Sequence, residues 1–153
     1  MLKICIVDDD PGKLRKIIKT VSTFPDIPQE NISTAPDLVS ARRCLQEQQF
    51  DLLILDLNLP ERFGDFPSQN AGKKFINEIK SSLRLQNPDH ILGLTAYPEA
   101  QAVSKTEFED DLWYIILFDE QTTTWEKQLI SKLEYLLECK LDPQSSDCED
   151  FNY

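Results

Sequence analysis

The stretch KICIVDDDPG, residues 3–12, sets a buried strand against a helix start with three acids between them. LKICIV (2–7) is a short continuous apolar run, the pattern of a strand covered on both faces. Asp10 is placed to cap the helix that follows. Pro11 suits its first position, where a missing N–H leaves no bond unmade. Asp8 and Asp9 then stand at the carboxyl end of the strand with like charges side by side. One reading is that such acids only favour the positive end of the next helix. The other is that they belong to a site shared with residues elsewhere in the chain.

Working outward, DLLILDL (51–57) repeats the buried-strand pattern and carries Asp56 near its end. A lone carboxylate there is costly without partners. HILGLT (90–95) ends in Thr95, LWYIILF (112–118) is a further strand, and NISTA (31–35) a weaker one. Helical periodicity lies between them. Leu14, Ile17, Ile18 and Val21 share one face, with Lys13, Arg15, Lys16 and Lys19 read as polar-side residues. Leu38, Ala41 and Leu45 follow a cap at Asp37, and Phe75, Ile76, Ile79 and Leu83 mark a third helix. The stretch 96–111 is loosely helical. Trp125, Leu129, Leu133 and Leu136 follow a capping box of Thr123 and Glu126.

Five strands alternating with five helices predict an α/β fold, a doubly wound five-stranded parallel sheet covered on both faces. Ligands of such sheets bind at the carboxyl ends of the strands. Asp8, Asp9, Asp56 and Thr95 all fall on that edge. A hard divalent cation with oxygen ligands relieves the repulsion of three carboxylates, and Mg2+ is the expected ion.

Composition narrows the function. The chain has 153 residues, 41% apolar and 28% charged, with a net charge of −11, which suits one soluble domain. The acidity argues against nucleic acid and against an anionic membrane surface as partners. No apolar run is long enough to span a membrane, and the start does not read as a signal peptide. Cys5, Cys44, Cys139 and Cys148 lack zinc-ligand spacing and read as reduced thiols of a cytoplasmic protein. Residues 1–140 are expected to form the domain, and 141–153 a disordered acidic tail.

In ICIVDDDP, DLLILDLNLP, Gly72, ILGLTA and Tyr114, the chain resembles the receiver domain of two-component response regulators over about residues 2–138. The resemblance implies a flavodoxin-like three-layer α/β/α fold with strand order 2-1-3-4-5. It implies phosphorelay signal transduction, in which a histidine kinase or phosphotransfer protein passes a phosphoryl group to an aspartate. Asp56 would be the phosphoacceptor. Asp8, Asp9, Asp56 and the backbone carbonyl of Asn58 would hold Mg2+, Thr95 would hydrogen-bond the phosphoryl group, and Tyr114 would be the switch aromatic. Such a protein is a signalling element rather than an enzyme, at most phosphorylating and dephosphorylating itself. A stand-alone receiver would act by contacts with a downstream protein that the sequence does not identify.

Two departures qualify the resemblance. The family's fifth strand ends Tyr-x-x-Lys-Pro, whereas Leu117 and Phe118 stand in the last two places here. Leucine cannot pair with a phosphoryl group, so a phosphorylation-independent binding module or a phosphate sink is the alternative. The loop NLPERFGDFPSQNAG (58–72) is also long. Its Arg62 is a candidate replacement cation, beside the plainer reading as a solvated arginine.

Overall fold

Five short strands, β1 (Ile4–Val7), β2 (Ile32–Ala35), β3 (Leu52–Leu55), β4 (His90–Thr95) and β5 (Tyr114–Leu117), form one sheet. All its pairings are parallel and its order is β2-β1-β3-β4-β5, as expected. The structure, a computed structural model, describes residues 2–68, 70–98 and 114–141. Within them lie four α-helices: α1 (Pro11–Val21), α2 (Leu38–Glu47), α3 (Ala71–Ser81) and α4 (Thr124–Leu141). The loosely helical stretch 96–111 lies almost wholly outside the described residues, as does the acidic tail from 142.

Alternation along the strands divides the core in two. Cys5, Val7, Leu53, Leu55 and Ile115 point to one face, where Leu38, Ala41 and Leu45 of α2 and Phe75, Ile76 and Ile79 of α3 cover them. Ile4, Ile6, Leu52, Ile54, Leu92, Leu94 and Ile116 point to the other. There they meet Ile17 and Val21 of α1 and Trp125, Leu129, Leu133 and Leu136 of α4. Burial of both faces explains why the strands read as unbroken apolar runs.

The helix starts follow from local chemistry. Asp10 accepts from the N–H groups of Gly12 and Lys13, and Pro11 opens α1. Asp37 accepts from Ser40 N–H at 2.7 Å and so caps α2. Gly72, the second residue of α3, donates its N–H to Leu57 O at 3.2 Å. A Cβ at Gly72 would lie 2.8 Å from Leu57 Cα, so the approach of α3 to the end of β3 requires glycine.

Three expectations are corrected. Helix α3 ends at Ser81 and the chain turns extended at Ser82, so Leu83 is exposed and Leu85 takes the buried place. Lys13 is buried rather than turned to the polar side of α1. Cys139 is disulfide-bonded, against the reading of reduced thiols throughout, while Cys5 and Cys44 are free.

The long loop after β3 is fastened to α2. Leu59 and Ser68 exchange backbone hydrogen bonds, pinching the loop at its base. The N–H groups of Leu38 and Val39 donate to Pro60 O and Glu61 O, and Phe63 N–H donates to the second carboxylate oxygen of Asp37 at 2.7 Å. Arg42 of α2 pairs with Glu61 of the loop and, at 2.6 Å, with Glu78 of α3. The first amides of α2, which no turn of the helix can satisfy, thus hold the loop in place.

Candidate functional site

The strand register brings the acids together. Val7 lies beside Leu55 in adjacent strands, so the residues that follow, Asp8 and Asp56, leave the sheet side by side. Asp9 follows Asp8. One carboxylate oxygen from each of Asp8, Asp9 and Asp56 lies within 4.8 Å of the others. Asp8 and Asp56 are buried and Asp9 is half-buried. Local backbone steadies both buried carboxylates: Asp10 N–H donates to Asp8 Oδ1 at 3.0 Å, and Asn58 N–H donates to Asp56 Oδ1 at 3.1 Å.

A cation completes the cluster. The Lys13 ammonium stands 2.9 Å from Asp8 Oδ2 and 3.2 Å from Asp56 Oδ2, and it donates to Leu94 O at 3.2 Å. Those three acceptors match the three N–H donors of an ammonium. The Phe118 ring lies over it, 5.6 Å from the nitrogen to the centroid. Lys13 is in the first turn of α1, at the positive end of the helix dipole, where a cation is disfavoured by about 0.3–1 kcal/mol. Two buried carboxylates outweigh that cost.

The electrostatics record the competition. Burial pushes the Asp56 carboxyl up to about 7, Lys13 opposes the rise, and the charge of Asp8 adds to it. Burial likewise raises Asp8, with Lys13 pulling the other way, and burial raises Asp9. Fully ionised, three carboxylates and one ammonium leave a charge of −2, which one divalent ion cancels.

The donor set fits Mg2+. Ligand oxygens around an octahedral Mg2+ are at most about 4.2 Å apart, twice its bond length, so oxygens already gathered within 4.8 Å need only a small adjustment. Asp8, Asp9 and Asp56 supply hard anionic oxygens, and the Asn58 backbone is already folded against Asp56.

The other expected residues separate into two groups. Thr95 is fully buried at the end of β4, next to the carbonyl that holds Lys13, and its hydroxyl accepts from Tyr97 N–H at 3.2 Å. Tyr114 begins β5 opposite Leu92 and packs on the α1–α4 face, with the Lys132 ammonium 4.2 Å from its ring centroid. It therefore sits three residues before the site end of its strand. Leu117 lies opposite Thr95. Phe118 is buried, donates its N–H to Thr95 O at 2.8 Å, and stacks at a tilt on Trp125, 4.8 Å between centroids. Arg62 is exposed on the loop and is not the cation of the cluster.

Lys13 is the residue that sequence reasoning missed. The signal was present, because Lys13, Ile17 and Val21 follow one another at four-residue steps and all three are buried. The face of α1 defined by Leu14 and Ile18 is only half-buried.

A parallel sheet of this order with helices on both faces and acids at its carboxyl edge is the fold of response regulator receiver domains. The response regulatory domain of protein mrkE from Klebsiella pneumoniae superposes with a TM-score of 0.62 at 22% identity, over 90% of this chain and 97% of that one. A CheY-like response regulator receiver domain from Methylobacillus flagellatus superposes at 0.60 with 13% identity, over 90% and 97%. No family model matches the chain. In sequence, the uncharacterized protein y4jS of Sinorhizobium fredii is 38% identical over 135 residues, covering 88% of this chain. The chain spans about a third of that relative, 32% of its length. Among the described residues no helix is long and apolar enough to cross a membrane.

Proposed function

We propose that this chain is a phosphorelay receiver that accepts a phosphoryl group on Asp56 from a histidine kinase or phosphotransfer protein, with Mg2+ held by Asp8, Asp9, Asp56 and the carbonyl of Asn58. The observation that supports it most is the meeting of three carboxylates from two adjacent strand ends within 4.8 Å of one another. A buried cluster of like charge is costly, and a fold retains it where the charge is used.

The residues present suit the chemistry. An Asp56 carboxylate oxygen forms the new bond to phosphorus as the bond from phosphorus to the donor's imidazole nitrogen breaks, and the imidazole leaves as a neutral ring after taking a proton. The acceptor must be ionised and its charge masked from the incoming phosphoryl oxygens. Lys13 does both, favouring the carboxylate form of Asp56 and offsetting its charge. Mg2+, when bound, would add further masking of acceptor and phosphoryl oxygens. The Asn58 N–H takes Asp56 Oδ1, and Oδ2 is the oxygen shared with Lys13. Thr95, at the adjoining strand end, is the hydroxyl for the phosphoryl group. In this reading the chain is a cytoplasmic signalling element rather than an enzyme with a turnover substrate, and it acts by binding a downstream protein.

The test is incubation with Mg2+ and acetyl phosphate, read by intact mass. A gain of one phosphoryl group that is lost in Asp56→Ala supports the reading. A protein that binds Mg2+ and gains nothing from any donor supports a second one, a binding module indifferent to phosphorylation. Leu117 favours that second reading, since β5 places no ammonium at the site.

A further inference from the structure

Leu117 leaves β5 without a cation, yet the site is not without one. We infer that Lys13 of α1 is the residue that holds the phosphoryl group on Asp56, so that the site receives its phosphoryl-binding cation from a helix instead of from the fifth strand. This rests on Asp56 being the phosphoacceptor.

Three observations carry it. The Lys13 ammonium already contacts the acceptor, 3.2 Å from Asp56 Oδ2. An acyl phosphate formed on that oxygen places its own oxygens within reach of an ammonium on a flexible four-carbon stem. The alternatives do not reach the acids. Arg62 is exposed, and Lys16, also exposed, lies over the Phe118 ring at 5.9 Å but pairs with Glu120 at 3.7 Å. Finally, the surroundings of Lys13 are built for it. The Leu94 carbonyl takes its third donor, and the Phe118 ring closes over it. Phe118 is held in turn by Trp125 of α4 and by its hydrogen bond to Thr95. The residue pair Leu117–Phe118 that removes a lysine from β5 thus supplies the aromatic wall for a lysine from α1.

A structural role, keeping Asp8 and Asp56 from repelling each other, is the competing account. The two separate as follows. The rate of acetyl phosphate labelling with Mg2+ is measured for the wild type, Lys13→Met and Lys13→Gln, and for each variant carrying Leu117→Lys as well. Lys13→Gln keeps an N–H donor for the carboxylates and guards against a Met variant that does not fold. Labelling slowed about ten-fold or more in the folded variants is expected. Recovery by about three-fold or more on adding Leu117→Lys is expected too, because an ammonium from β5 replaces the charge without restoring α1. Labelling within about two-fold of wild type in either folded variant overturns the inference. So does a loss with no recovery, which assigns Lys13 to structure alone. A wild type that takes no phosphoryl group, or takes it in Asp56→Ala, overturns instead the reading of Asp56 on which this rests, and is seen before any Lys13 variant is compared.

Discussion

Lys13 reaches back from the first turn of α1 to lie 2.9 Å from Asp8 and 3.2 Å from Asp56, binding the ends of β1 and β3 into one charge cluster. The helix that follows β1 therefore balances the acids that end it. Stability and the net charge of the acid cluster both depend on that contact.

The cluster makes stability depend on pH in an unusual sense. Asp56 has its folded pKa raised to about 7, above an ordinary 3.8, so the folded form binds the proton more tightly than the unfolded one. Stability is then highest below the unfolded value and falls as pH rises from about 4 to about 7, with the full cost above that. Without divalent ions, urea denaturation should show the protein less stable at about pH 8 than at about pH 5, by on the order of 2 kcal/mol from Asp56. Asp56→Asn should flatten the profile and raise stability at the upper pH. A profile unchanged by the substitution would refute the assignment of this cost to Asp56.

Mg2+ should reverse the penalty. A ligand that binds only the folded form stabilises it in proportion to its occupancy, so a rising melting temperature with Mg2+ concentration is expected. Asp9, half-buried at the rim of the cluster, provides the cleanest metal-site substitution. Asp9→Asn should weaken Mg2+ binding by about ten-fold or more while leaving metal-free stability nearly unchanged, since it leaves the Lys13 ion pairs in place. Isothermal titration calorimetry measures the first quantity and thermal denaturation in chelator the second.

Gly72→Ala should cost about 2–3 kcal/mol, as overpacking does where the obstacle is backbone. The added Cβ would meet Leu57 Cα at 2.8 Å and Leu57 O at 3.1 Å. Because Leu57 follows Asp56, the same substitution should also slow phosphoryl acceptance. Denaturation and labelling rates, measured together, test both effects.

Asp37→Ala removes two anchors at once, the cap on Ser40 and the hold on Phe63. Burial alone would raise the Asp37 carboxyl, but hydrogen bonds from Ser40 and Phe63 outweigh it and keep the group below its ordinary value. A loss of about 1–2 kcal/mol is expected from the cap. Limited proteolysis should cut faster near Phe63 and Phe66, both strongly exposed on the loop. Unaltered cleavage there would show that Arg42 and the α2 amides alone hold the loop.

How much of this was legible in the sequence depended on whether local chemistry decided it. The strands read correctly because their unbroken apolar runs reflect burial on both faces. Asp10 and Asp37 read correctly as caps because a cap is settled within a few residues. Leu83 read wrongly because periodicity continued past Ser81 although the helix did not. The docking of residues 60–63 on α2 joins segments distant in sequence and left no periodic trace. The candidate acids were found because they end separate apolar runs. Lys13 was passed over because lysine at a helix start is nearly always solvated, and only the packing of α1 across the strand ends turns it inward.

Asp8 and Lys13 are five residues apart, so the anions that end β1 and the cation that answers them are encoded in a single short segment. A receiver that draws its cation from β5 must keep two remote parts of its chain matched as its sequence drifts. Here one hexapeptide, DDDPGK, carries the cation and two of the three clustered acids, so a single short segment sets most of the charge at this edge of the sheet. The residue after β5 then contributes shape in place of charge, the buried Phe118 ring closing over that cation.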